Sequence, residues 1–381
     1  MICQRLKLSN FRNWSEASLE LRPGVNILLG DNGSGKTNLL EGLYFLAHLS
    51  GFRADRDSAL ISRGAKSLHA EGLFISDAGA QHQVEIHFTG GKKYLRVNDA
   101  PVLRIADYWG RIPVYLFSPA SMELLWGEPE RRRDLWDGEI AKFSEQFRND
   151  LSNYKTAWLS RNRTLKAMQE GRADAETRAL LKFYTDSMVL TGSRIIFERL
   201  KFLREVLNSL DGFYHQLTAE KFRLRVHYAS SIGKLEGEVH AAEVRDSYTR
   251  RLAELAQKEK ERGFTLAGPQ RDDVRFYLGD IPIGEYASQG QVRAATIALM
   301  LTLARIYEKN TGEKPILLLD DVLSELDDAR KANLLAIASN FPQTLLTSAS
   351  KREIRGLLPL KPRIFAVGGG SITPVVVKEP S

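Results

Sequence analysis

The sequence predicts an α/β fold: a mixed sheet with flanking helices, built from both ends of the chain, with a mainly helical lobe and short arm inserted between them. Three observations carry this reading. Near the start, an apolar run feeds a glycine-rich loop and then a helical pattern. Near the end, a second apolar run stops at two acids. Between them, apolar residues recur at the period of long helices.

Composition bounds the rest. With 43% hydrophobic residues among 381, the chain can bury a core, which excludes a disordered tail protein. The 54 Lys+Arg against 47 Asp+Glu leave a net charge of +7, which permits a polyanionic partner without requiring one. The longest strongly apolar stretch, Ala295 to Ala304, falls short of the roughly 18 residues that span a bilayer. The start, Met1-Ile2-Cys3-Gln4-Arg5, has no apolar core of a signal peptide, so a cytoplasmic protein without membrane attachment is expected. The single cysteine, Cys3, can form neither an internal disulfide nor a thiolate metal cage, and reads as a small apolar residue of a first strand.

Leu6, Leu8 and Phe11 alternate with polar neighbours, as in a half-buried strand. Pro23-Gly24 makes a turn, and Val25 to Leu29 is an apolar run of the kind buried in a parallel sheet. Gly30-Asp31-Asn32-Gly33-Ser34-Gly35-Lys36-Thr37 follows at once and matches the phosphate-binding loop G-x-x-x-x-G-K-[ST] in full. Its glycines let backbone N–H groups close on phosphates, Lys36 can reach the β and γ phosphates of a nucleotide, and the Thr37 hydroxyl can ligate magnesium. Leu39, Leu40, Leu43, Leu46 and Ala47 then mark one face of a helix, whose N-terminus adds partial positive charge.

From Trp136, apolar residues at Ile140, Phe143, Phe147, Leu151, Tyr154 and Trp158 predict one long amphipathic helix, broken at Gly171-Arg172-Ala173-Asp174. A second periodic stretch uses Ile196, Leu200, Leu203, Leu207, Leu210 and Phe213, so the pair reads as an antiparallel hairpin. Ala287-Ser288-Gln289-Gly290-Gln291 opens an apolar helix and offers a second anion-binding N-terminus. Ile316 to Leu319 is a strand ending in Asp320 and Asp321, of which Asp320 suits the metal and Asp321 the attacking water. Ser324-Glu325-Leu326-Asp327 forms another short turn.

Phosphate loop, Ser-x-Gly-Gln, acidic strand and Ser-Glu-Leu-Asp occur in the order of ABC-type ATPase heads. The chain resembles the RecF family of DNA replication and repair ATPases, relatives of SMC-type heads. The likeness is carried by Leu8 to Asn13, the phosphate loop, Pro119 through Asp137, Gly268-Pro269-Gln270-Arg271-Asp272-Asp273, Tyr286 to Gln291, and Leu318 to Asp327. The sequence departs from the family's usual pattern at Ala120, Leu135-Trp136 and Gln270.

The resemblance implies an ABC/SMC-type P-loop head with residues 1–118 and 311–381 as lobe I and 119–310 as lobe II, an insertion carrying the signature turn. Too few residues separate Lys36 from Asp320 for long coiled-coil arms. It also implies an ATP-dependent homodimer, in which Ser288, Gln289, Gly290 and Gln291 of one copy complete the ATP site of the other. Such a dimer is expected to bind single-stranded and gapped or junction DNA, and to help load the recombinase with RecO- and RecR-like partners in repair and the SOS response. ABC heads usually carry glutamate at the position of Asp321 and a switch histidine where Leu345-Leu346-Thr347-Ser348 stands, so hydrolysis is expected to be slow, a timer rather than a motor.

Two basic clusters are candidates for DNA: Lys155, Arg161, Arg163, Lys166 and Arg172 in one, and Lys351, Arg352, Arg355, Lys361 and Arg363 in the other. Arg131-Arg132-Arg133 reads as a family motif of the lobe junction. The motif order would also suit the nucleotide-binding subunit of a transporter, but the coupling-loop glutamine and switch histidine of such subunits are not found. A nuclease built on the same head would need a further metal-binding cluster, which the sequence does not offer.

Overall fold

The computed structural model describes residues 1–53, 56–235, 237, 239–350 and 353–375. The chain divides into two compact units. The first comprises Met1–Met122, Gly212–Lys221 and Ser288–Ser381, the second Glu123–Asp211 and Phe222–Ala287. The helix that follows the signature turn therefore groups with the first unit, whereas the expected lobe II ran to residue 310.

The first unit holds two sheets. One is antiparallel, in the order Trp14–Glu20, Ile2–Phe11, Ser67–Ile75, Gln81–Thr89, Lys92–Val97, Ala100–Pro101. The other runs Ser371–Val375, Arg363–Gly368, Gly24–Leu29, Gln343–Ser348, Ile316–Leu319, Val114–Phe117, parallel except for the first pair. Val114–Phe117 and Ile316–Leu319 are apolar on both faces, as burial on both sides demands, while Gly24–Leu29 and Gln343–Ser348 also bury polar side chains, Asn26 and Gln343 among them. Helix Lys36–His48 places Leu39, Leu40, Leu43 and Leu46 in one core with Leu6, Leu8 and Leu68 of the antiparallel sheet and Leu28, Leu318 and Leu345 of the parallel one. Cys3 is buried in the first strand, and its thiol is pushed above the usual range by that burial. On the remaining side, helix Gln289–Thr311 packs along Val114–Phe117, with the Tyr307 ring against Tyr115 and its hydroxyl donating to Gly110 O at 2.6 Å.

The second unit is helical around a three-stranded sheet of Leu224–Ala229, Asp273–Leu278 and Ile281–Pro282. The long helix expected from Trp136 through Trp158 is two helices, Pro129–Ala141 and Glu145–Gln169. The Ser144 hydroxyl accepts from Phe147 N and starts the second. The expected hairpin is present: Arg194 pairs with Asp150 and Thr185 with Arg161, so Ala175–Thr218 runs antiparallel to Glu145–Gln169. A third helix, Ala241–Arg262, runs alongside and contributes Tyr248 and Glu259.

This unit explains the arginine run. Arg132 grips both carboxylate oxygens of Asp273 at 2.8 and 3.0 Å, and Arg133 donates to Asp272 O at 2.8 Å. Arg131 pairs with Glu123. Within this unit the Glu123–Asp137 and Gly268–Asp273 segments are thus partners in one structural clasp. Asp272 itself is buried, which raises its carboxyl above the usual range; it accepts from Ser231 N and the Tyr228 hydroxyl. Tyr228 also accepts from Arg199, which is held in turn by Asp137.

Candidate functional site

The parallel sheet gathers the site, because its strands end on one edge. Gly24–Leu29 delivers the phosphate loop, Ile316–Leu319 delivers Asp320 and Asp321, and Gln343–Ser348 delivers Thr347 and Ser348. Between them lies a cleft of about 180 Å³, lined by residues including Asn32, Gly33, Gly35, Lys36, Thr37, Arg53, Asp321 and Thr347.

The loop glycines have physical reasons. A Cβ on Gly30 would sit 2.1 Å from Val367 O, a clash no side chain survives. Gly35 precedes the helix with φ +102, and Asn13 and Trp14 close over it, the Trp14 indole donating to its carbonyl at 3.2 Å. Lys36 is buried, and its ammonium donates to Gly30 O and Asp31 O at 2.6 and 2.8 Å. Burial pushes that ammonium below the usual lysine range, against the opposing pull of Asp321, Asp320 and Asp31.

Thr37 and Asp320 lie far apart in the chain, yet the Thr37 hydroxyl donates to Asp320 Oδ1 at 2.9 Å. The Thr347 hydroxyl donates to the same oxygen at 3.0 Å and accepts from Asp321 N at 2.9 Å. Burial raises the Asp320 carboxyl above its ordinary range, against the two threonine bonds that favour the carboxylate. Asp321 is exposed, adopts a left-handed backbone with φ +51, and accepts from the Ser324 hydroxyl at 2.9 Å. The donor set fits a nucleoside triphosphate with magnesium. Glycines could cradle the phosphates, a hydroxyl and a carboxylate share a hydrogen bond where a hard cation would fit, and the buried Ser34 hydroxyl has no partner among the described residues.

Sequence reasoning overlooked the neighbours that fix this edge. Glu41, fully buried one turn into the helix, takes Arg12 at 2.7 and 3.0 Å and Arg53 at 3.3 Å. Arg53 thereby turns toward the cleft, and it also donates to Asn38. In the sequence, Thr347 signals only the lack of a switch histidine, and its bonds to both acids are not legible there. Arg12 stands inside the Leu8–Asn13 motif, which was the available signal.

The signature turn is set as a capping box: Ser288 Oγ accepts from Gln291 N, and Gln291 Oε1 accepts from Ser288 N. The Gln291 amide then donates to Glu220 at 3.0 Å, and the other oxygen of Glu220 takes Arg330 at 2.7 Å. Arg330 follows the Ser324–Asp327 turn, so one carboxylate joins both turns. A Cβ on Gly290 would meet the Arg330 guanidinium at 3.0 Å.

The DNA candidates divide. Lys155, Arg163 and Lys166 are exposed on Glu145–Gln169. Arg161 is corrected: it is 4% exposed, pairs with Glu259 at 2.6 Å and bonds Thr265 and Thr185, and so faces the interior rather than solvent. Lys351 and Arg352 lie outside the described residues.

Residues 2–357 match the family model described as RecF/RecN/SMC N terminal domain. The DNA replication and repair protein RecF of Ligilactobacillus salivarius (strain UCC118) is 34% identical over 98% of this chain and 97% of its own length. That of Prosthecochloris aestuarii (strain DSM 271 / SK 413) is also 34% identical, over 92% and 94%. Among solved structures, the recombination mediator protein RecF-ATP in the RecFOR pathway superposes with a TM-score of 0.87 at 30% identity, covering 98% of this chain and 97% of that one. An Smc head bound to the C-winged helix domain of ScpA shares the fold, with a TM-score of 0.56 at 13% identity. These relatives do not favour a transporter subunit, and no helix among the described residues is long and apolar enough to cross a membrane.

Proposed function

The chain belongs to the RecF/RecN/SMC N-terminal domain family, and we propose that it is an ATP-gated DNA-binding clamp of replication-fork maintenance and recombinational repair. The observation that carries this is the shared hydrogen bond of Thr37 and Asp320, which unites the two halves of a nucleotide site from opposite ends of the chain. Gly30 to Thr37 would bind the phosphates of ATP, and Thr37 with Asp320 would hold Mg2+. The metal supplies neutralising charge to phosphate oxygens. Asp321 orients the attacking water.

Two copies would close on ATP, each presenting Ser288 to Gln291 to its partner's nucleotide. The closed dimer would hold single-stranded or gapped DNA and open on slow hydrolysis. Lys155, Arg163 and Lys166 are offered as phosphate contacts. RecO- and RecR-like partners and recombinase loading belong to the same reading.

Light scattering with and without ATP tests it, comparing wild type with Lys36→Arg and Ser288→Arg. Wild type should double in mass with ATP. Lys36→Arg should stay monomeric through impaired nucleotide binding, and Ser288→Arg should bind ATP yet stay monomeric. A wild type that remains a monomer with bound ATP refutes the clamp.

A further inference from the structure

The strand that carries the phosphate loop has a second charged end. Gly24–Leu29 spans about 17 Å at roughly 3.3 Å per residue. At the end remote from the phosphate loop lies a cleft of about 310 Å³ whose lining includes Arg22, Pro23, Lys361, Pro362, Arg363 and Pro374, all within the first unit. None of the described residues lining it is acidic. Nothing in the ATP site uses this cleft.

Among the described residues no carboxylate pairs with these three cations, and the main chain or ring plane at each is set by its surroundings. Arg22 is fixed through its main chain by two fully buried amides. Asn26 accepts from Arg22 N at 3.1 Å and donates to Arg22 O at 2.7 Å, while Gln343 donates to the same carbonyl at 2.9 Å. Buried amides are costly unless bonded; Asn26 is committed to the turn that presents Arg22, and Gln343 ties the same turn to the main chain of Cys3. Lys361 sits in the left-handed region at φ +49, immediately before Pro362, a conformation that glycine would adopt without strain. The Arg363 guanidinium lies over the Phe365 ring, 5.1 Å from its centroid, which steadies the plane and leaves the N–H fork at its edge for a ligand.

Three positive groups around one concavity, with no acid among the described lining residues and with prolines stiffening the rim, make a preorganised site for a tetrahedral oxyanion. We propose that this cleft binds a backbone phosphate of DNA. The phosphate positions the strand and reads no base, because the lining offers cations and apolar surface rather than a pattern of donors and acceptors. The assignment rests on the DNA-clamp reading above and adds to it a site at the edge of the sheet opposite ATP. It also gives Lys361 and Arg363, two members of the C-terminal basic cluster, a defined place to act.

The test is fluorescence anisotropy of full-length protein with a labelled gapped oligonucleotide, with ATP present, across a series of salt concentrations. Arg22→Gln/Arg363→Gln should bind DNA about tenfold more weakly at low salt. The slope of log Kd against log salt should fall by about 0.7 to 0.9 for each phosphate that the variant no longer neutralises. ATP affinity and the ATP-dependent mass increase should not change. Lys361→Gly guards against misfolding, since it relieves the positive φ while removing one charge, and it should show a weakening in the same direction, smaller than that of the double variant, in a protein at least as stable. Wild-type binding to DNA with unchanged affinity and slope in both variants overturns the cleft and leaves the clamp standing. Absence of DNA binding by wild type overturns both. A glutamate- and aspartate-rich peptide serves as the competing probe. If the variants weaken binding of that peptide alone, the cleft belongs to a protein partner and the phosphate is overturned.

Discussion

Glu259→Ala should be among the most destabilising single changes in the second unit. The Arg161 and Glu259 side chains are 5% and 0% exposed, with Nη2 and Oε2 2.6 Å apart. Glu259 also accepts from Leu266 N at 2.7 Å. Removing the carboxylate leaves a buried guanidinium with only the hydroxyls of Thr265 and Thr185 for partners among the described residues, and an amide without its acceptor. Breaking a buried pair in this way costs about 3–5 kcal/mol. With a urea m-value of about 2 kcal/mol/M, the midpoint should fall by roughly 1.5 to 2.5 M. Circular dichroism at the helical band reads the transition. The double variant Arg161→Met/Glu259→Leu removes both charges and fills the space, and should recover most of the loss, keeping only the cost of the unpaired Leu266 amide, about 1–3 kcal/mol. It should also leave the salt slope of DNA binding unchanged. A penalty below about 1 kcal/mol for Glu259→Ala, or a shallower salt slope in the double variant, would show that Arg161 works at the surface.

Three further outcomes follow from the first unit. Thr347→Val removes the donor to Asp320 and the acceptor of Asp321 N, and should weaken magnesium-dependent ATP binding by about tenfold, measured by calorimetry with and without the metal. Glu220→Ala removes the acid that joins Gln291 to Arg330, and should spare ATP binding by the monomer while raising by about tenfold the protein concentration at which the proposed ATP-dependent dimer forms. Burial alone would raise the Glu41 carboxyl, but the Arg12 bond and the charges of Arg12 and Arg53 outweigh it and hold the carboxyl below its usual range. Its folded pKa is below its unfolded one, so its contribution is complete above the unfolded value near ~4.3 and disappears as pH falls through the folded one. Glu41→Gln should therefore be less stable at pH 7 and lose less stability on acidification, read by thermal unfolding at stepped pH.

What the sequence revealed was local. A strand, eight loop residues and a helix lie side by side in the chain, so the phosphate site could be read directly. The acidic strand could be read for the same reason. Arg132 and Arg133 could not, because their partners lie 141 and 139 positions away, and nothing in a charge run names a distant carboxylate. Arg161 was misread although a signal existed. Tyr154, Ala157, Arg161 and Leu165 fall at steps of three, four and four, so Arg161 sits on the buried stripe, while Lys155, Arg163 and Lys166 do not. Apolar period also ran straight through the Phe143-Ser144 break, because two helices packed on one core keep their phase. Only the Ser144 cap marks the boundary.

The acids at the ATP site are surrounded by hydroxyls where a faster ATPase would have an imidazole. Thr347 bonds Asp320 and Asp321 N, and Ser324 bonds the Asp321 carboxylate. A hydroxyl can donate and accept, but unlike histidine it does not exchange a proton near neutral pH. Proton transfer from the attacking water would then fall to Asp321, which is both exposed and one methylene shorter than glutamate. The same arrangement holds its backbone at φ +51 through Thr347. An ATP site built in this way is expected to bind nucleotide more readily than it turns it over. That combination suits the proposed clamp, whose closed state would have to outlast its encounter with DNA.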